Sequence, residues 1–156
     1  MTTLHGFRLH DGTSGDPTIL LPPGEVGGLS FDLADVLGAI GERVARSEWR
    51  VEFLDCIGEA RPELLAACEA SANISGARLS ELAARLVQVI DGDFFGREMG
   101  QTDPWVLVKA VDSCWWEVWS IDPGVGASLR RRFRAVQELT EDPPNEALQL
   151  TGRPAS

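Results

Sequence analysis

The stretch LVQVIDGDFFGREMGQTDPWVLVKAVDSCWWEVWSI, residues 86–121, decides the fold. It carries four of the five Trp and two of the six Phe. From Trp105 to Ile121 the residues are β-branched, aromatic or aliphatic, with the main interruption at Asp112-Ser113. That is a strand–turn–strand pattern. A two-residue loop at Asp112-Ser113 sets Val111 against Cys114, Lys109 against Trp116, Leu107 against Val118 and Trp105 against Ser120, all on one face. The other face then carries Val106 beside Trp119, Val108 beside Glu117 and Ala110 beside Trp115. A loop longer by one residue re-pairs them, because the loop sets the register. In the two-residue pairing Lys109, the single lysine of the chain, lays its ammonium over the Trp116 indole.

Both faces of this hairpin read as apolar, whereas a hairpin with one wet face alternates with polar residues. Either cover lies on both faces, or one Trp-bearing face meets a partner. Burial in the core is the common fate of Trp. The sharper expectation is that Trp115 and Trp119, flanking Glu117, belong to a binding surface, since Trp is enriched among interface anchors. Upstream, Asp91-Gly92 between apolar residues predicts a type I′ turn, with Phe94 to Glu98 as the next strand of a meander.

Working outward, Trp49 to Asp55 alternates apolar and charged residues and predicts a strand with Trp49, Val51 and Phe53 inward. Leu33, Val36, Leu37, Ile40 and Val44 recur at helical spacing after Ser30 and Asp32, a cap and a first-turn acid. Arg61-Pro62-Glu63 opens a second helix and Ser75 or Ser80 a third. Residues 127–139 predict a final helix with Leu129, Phe133, Val136 and Leu139 on its apolar side. Residues 1–17 read as a loose arm or edge strand, Thr18 to Leu21 as a short strand, and 141–156 as a disordered tail. The expectation is a single α+β domain over 1–140, one antiparallel sheet of about four to five strands with helices packed against it.

Composition excludes several function classes. No run is long and apolar enough for a membrane span, and no signal-peptide core opens the chain, so a cytoplasmic protein is expected. Three Cys at positions 56, 68 and 114 argue against a disulfide framework and suit a reducing compartment. Thirteen Arg against one Lys, with no Tyr, suit a GC-rich bacterial coding sequence. Net charge is −10, with −11 in residues 1–125 and +1 in 126–156. An acidic body disfavours nucleic acid and anionic membrane and favours a basic partner or plain solubility.

Chemistry-bearing motifs are sparse. Gly24-Glu25-Val26-Gly27-Gly28 lacks the Lys of a phosphate loop. Both His, at 5 and 10, sit without a neighbouring Cys or acidic cluster, so no metal and no cofactor is expected. Asp91 and Asp93 lack the third ligand and terminal Glu of a calcium loop. No catalytic set is assigned.

Ile74-Ser75-Gly76 followed by a Leu/Ala helix, then Ile90-Asp91-Gly92 and Val111-Asp112-Ser113-Cys114-Trp115-Trp116-Glu117-Val118, resembles small acidic bacterial proteins of the immunity type. Those are cognate inhibitors encoded beside secreted toxins. The resemblance implies an intracellular α+β protein that blocks a toxin by binding it. The functional expectation is therefore a non-enzymatic binding protein, an immunity-type toxin inhibitor. Asp91, Asp93, Asp112 and Glu117 would meet a basic toxin domain, and Trp115 and Trp119 would anchor it. The alternatives are a small enzyme using a sheet-loop carboxylate or Cys114, with a pocket around a group of perturbed pKa, and a self-assembling structural subunit.

Overall fold

Residues 3–10 and 31–152 are described in a computed structural model of the chain. The expected strand at Thr18 to Leu21 and the Gly-rich loop at 24–28 lie outside them. The described part is α+β, with one antiparallel sheet of seven strands rather than four to five, in the order β3-β2-β4-β5-β6-β1-β7. In chain order the elements are β1 (His5–His10), α1 (Leu33–Ile40), a 3-10 helix (Glu42–Val44), β2 (Ser47–Gly58), α2 (Arg61–Glu69) and β3 (Ile74–Ser75). Then follow α3 (Gly76–Ala84), β4 (Leu86–Glu98), β5 (Val106–Val111), β6 (Trp115–Ser120), α4 (Val125–Arg132), β7 (Ala135–Leu139) and a second 3-10 helix (Asn145–Thr151).

The β5–β6 hairpin forms as the sequence predicts, but one residue out of register. Asp112 and Ser113 both take positive φ, 48° and 59°, and the Cys114 N–H closes the turn on the Val111 carbonyl at 2.8 Å. Cys114 is an additional residue beyond that turn, so pairing begins at Val111 with Trp115. Lys109 therefore faces Glu117, not Trp116, and Leu107 faces Trp119.

Three other expectations change. Asp91-Gly92 is no turn: both residues lie inside the 13-residue β4, with Asp91 opposite Asp55 and Gly92 opposite Ala110. The glycine serves packing there, since a Cβ would stand 3.0 Å from the Phe94 ring. The final helix stops at Arg132, and Val136 and Leu139 belong to β7, which pairs with β1. Residues 5–10 form a strand, but neither a loose arm nor an edge: β1 lies between β6 and β7.

Helices pack on one face. Leu33, Val36, Leu37 and Ile40 of α1, Leu79 and Leu82 of α3, Leu64 of α2 and Leu129 of α4 share a core with Trp49, Val51, Phe94, Val108, Trp116 and Val118. Asp32 ties α1 to the sheet by accepting the Val89 N–H at 3.0 Å, and Ser75 caps α3 by accepting from Arg78. The other face is covered at one end only. There the expected disordered tail instead forms the second 3-10 helix, which buries Ala147 and Leu150 against Phe95, Leu107, Trp119 and Leu139. Pro143-Pro144 launch it, and Ala147 and Leu150 recur at the three-residue period of that helix, which points both at the sheet.

β2 departs from regularity at Phe53. The register shifts between Glu52 and Asp55, and Phe53 sits at φ 53°, 75% exposed rather than inward. Such a bulge position usually takes glycine.

Two variants probe this architecture. Leu150→Ala lowers unfolding free energy by about 2–3 kcal/mol in urea titration followed by Trp fluorescence, as expected for a buried aliphatic truncation. Phe53→Gly raises it by about 1 kcal/mol, because a left-handed backbone costs a non-glycine residue about that much. A lower melting temperature in Phe53→Gly would contradict the strain at this bulge.

Candidate functional site

Strand register lays the half-covered face out in transverse rows. The covered row runs Arg50, Phe95, Leu107, Trp119, Gly6 and Leu139. A Cβ on Gly6 would overlap the Trp119 ring, so the glycine gives the indole its seat. The next row along the strands is polar across six strands: Glu52, Asp93, Lys109, Glu117, Arg8 and Gln137. One step further stand Asp91, Val111, Trp115 and His10. Period-two alternation puts all three rows on the same face.

The charged row is largely satisfied from within. Lys109 Nζ donates to Asp93 Oδ1 at 2.9 Å. Asp93 is 3% exposed, and burial pushes its pKa up against the pull of Lys109. Burial draws Lys109 down, but Asp93, Glu146 and Glu117 outweigh it, so the ammonium's pKa is raised. The Lys109 shift reflects the carboxylates around it, whereas that of Asp93 comes first from burial. Glu117, also nearly buried, accepts the Trp115 N–H at 2.9 Å on one oxygen and the Trp119 N–H at 3.0 Å on the other. Arg8 lies 3.6 Å from Glu117 and 3.5 Å from Glu141, with its guanidinium 4.7 Å from the Trp115 ring centroid.

All six residues expected at the binding surface share this end of the sheet, in two roles. Asp93, Glu117 and Trp119 are internal: buried, bonded and inaccessible as docking groups. Asp91 and Asp112 are exposed at the hairpin tip, where Asp91 accepts the Asp112 N–H at 2.9 Å, and Trp115 is half-buried beside them. Sequence reading missed Phe53, Arg8 and Glu146. Together with Asp91, Gly92, Asp93, Lys109 and Ala110, Phe53 and Glu146 line a cleft of about 370 Å³. The three-residue spacing of Ala147 and Leu150 hints at the helix that carries Glu146, but within a segment polar enough to pass for a tail. Phe53 had none, because its bulge is a property of the β2–β4 pairing.

The other candidate groups do not gather. Cys56 is buried, and burial pushes its thiol up; Cys114 stands exposed at the hairpin tip. Among the described residues no group of three or more His, Cys, Asp or Glu is placed to hold a metal ion, and no helix is long and apolar enough to cross a membrane. Comparison with protein families, curated proteins and solved structures finds no match to this chain. What the arrangement can do chemically is receive a cationic group: carboxylates exceed cations in the cleft, and an exposed aromatic ring stands at its edge.

Removing Lys109 leaves a buried carboxylate without its ion partner. Lys109→Met costs about 3 kcal/mol at neutral pH by urea unfolding, and the Asp93→Asn, Lys109→Met double variant recovers much of it. The cost shrinks as pH falls. Burial raises the folded pKa of Asp93 above the unfolded 3.8, so the folded state keeps the proton longer and stability is lost as pH rises through that window. A cost independent of pH would contradict the assignment.

Proposed function

We propose that this protein is a non-enzymatic binding protein that engages a basic protein partner through the uncovered end of its sheet face. The supporting observation is the half-covered face itself. Its apolar row is sealed by the chain's own 3-10 helix, while beyond it lie an acidic cleft lined by Asp91, Asp93 and Glu146 and the hairpin end with Asp112 and Trp115. The net charge of −10 supports a basic partner, which acidic groups steer into encounter. The finer reading, carried by the resemblance, is an immunity-type inhibitor acting in the bacterial cytoplasm on a basic toxin domain. Of the six residues first considered, Trp115, Asp112 and Asp91 are the ones available to touch it. Asp93, Glu117 and Trp119 hold the surface in shape.

A second reading, a small enzyme, has one observation in its favour: Asp93 is a carboxyl of raised pKa in a cleft. Against it, the Asp93 carboxylate is tied to Lys109, and no Cys or His lines the cleft.

Immobilised full-length protein, exposed to lysate of the source cells, is expected to retain a basic protein at stoichiometric level. Washing in about 1 M salt, where screening acts within about 3 Å, releases most of it. Trp115→Ser and the Asp112→Asn, Glu146→Gln double variant, both outside the core, retain much less. A partner held equally in high salt and by both variants would overturn the reading.

A further inference from the structure

We infer that the cleft beside Phe53 seats an arginine side chain presented by the basic partner, an inference that rests on the binding reading above. Phe53 is the starting point. It occupies a bulge position suited to glycine, and its ring stands 75% exposed at the wall of the cleft. The ring offers the cleft an open aromatic face on which a planar cation can stack. The walls say which. Asp91 and Glu146 face the same space, and neither is in an ion pair among the described residues. Lys109 is spent on Asp93. The space lies at the small end of ligand sites, which span about 300–1,000 Å³, and suits one long side chain rather than a bulky ligand.

Guanidinium fits this setting better than ammonium. It is planar, stacks on a ring and offers forked donors to two carboxylates at once. The fold already uses that device: arginine lies over an aromatic ring at Arg8–Trp115, Arg43–Trp105, Arg50–Phe95 and Arg130–Phe7. Among the described residues no arginine of this chain lies over Phe53.

The test is titration of the full chain with a short peptide bearing three arginines, and separately with its lysine counterpart, at low salt, following backbone amide shifts. The arginine peptide is expected to bind saturably, shifting Phe53, Gly92 and Lys109, and to outcompete the lysine peptide by roughly five-fold, the scale of an exposed cation–π contact. Phe53→Gly abolishes that preference while melting no lower than the parent protein, so the loss is not one of folding. Glu146→Gln weakens both peptides. Equal binding of the two peptides, unchanged in Phe53→Gly, overturns the inference, as does the absence of saturable binding. If the peptides fail this way while a basic partner is still lost with salt and in Trp115→Ser, the inference falls and the binding reading stands. If that partner is indifferent to salt and to Trp115→Ser, the binding reading itself falls.

Discussion

One extra residue at the tip of a hairpin orders the whole half-covered face. Cys114 follows a closed turn at Asp112-Ser113 and shifts β6 by one position against β5. Because side chains alternate, a one-residue shift exchanges the faces of every residue on the strand. Trp116 and Val118 go to the helix side and join the main core, while Trp115, Glu117 and Trp119 go to the other. Without the offset Lys109 would face an indole, and Asp93 would have a lysine turned toward no acid on its far side. With it, Glu52, Asp93, Lys109, Glu117 and Arg8 line up across five strands.

That row explains how charged residues are tolerated on a sheet face. A buried carboxylate is costly unless paired and hydrogen-bonded. Glu117 spends one oxygen on each of two indole N–H groups, and Arg8 supplies the countercharge beyond. Asp93 takes the lysine. The two indoles are fixed in turn, since a buried Trp N–H needs an acceptor. Two acids that read as docking groups in the sequence, Asp93 and Glu117, are thus the struts of the surface, and docking is left to Asp91 and Asp112 further out.

The sequence was legible where the signal is local and periodic. The α1 and α3 faces and the β5 and β6 strands were readable from spacing and turn residues, and Ser75 was one of two candidate caps for α3. It was misleading where tertiary pairing overrules local chemistry. Asp91-Gly92 carries a strong turn signal, yet β2 and β5 flank it on both sides and hold it extended. Residues 133–139 carry helix-compatible spacing, but β1 offers an open edge, and pairing there satisfies backbone groups that a helix extension would leave in water. Of the candidate site, the location was legible from clustered Trp and acids. The division into internal and available residues was not, because it depends on a register set by one residue and on a C-terminal segment polar enough to pass for a tail.

The C-terminal 3-10 helix joins stability to recognition. Ala147 and Leu150 close the second core, while Glu146, one residue earlier, becomes a wall of the cleft. Segment and cleft are therefore ordered together: loosening the helix exposes Trp119 and Leu107 and removes a carboxylate from the site at once. The surface left uncovered is small, acidic and bordered by two aromatic rings, Phe53 and Trp115. A surface of that kind gains little from buried area, and its discrimination must come from charge placement and a few rigid anchors. Such a site favours fast, salt-sensitive capture of a cationic partner, with affinity concentrated in the few side chains that reach past the charged row.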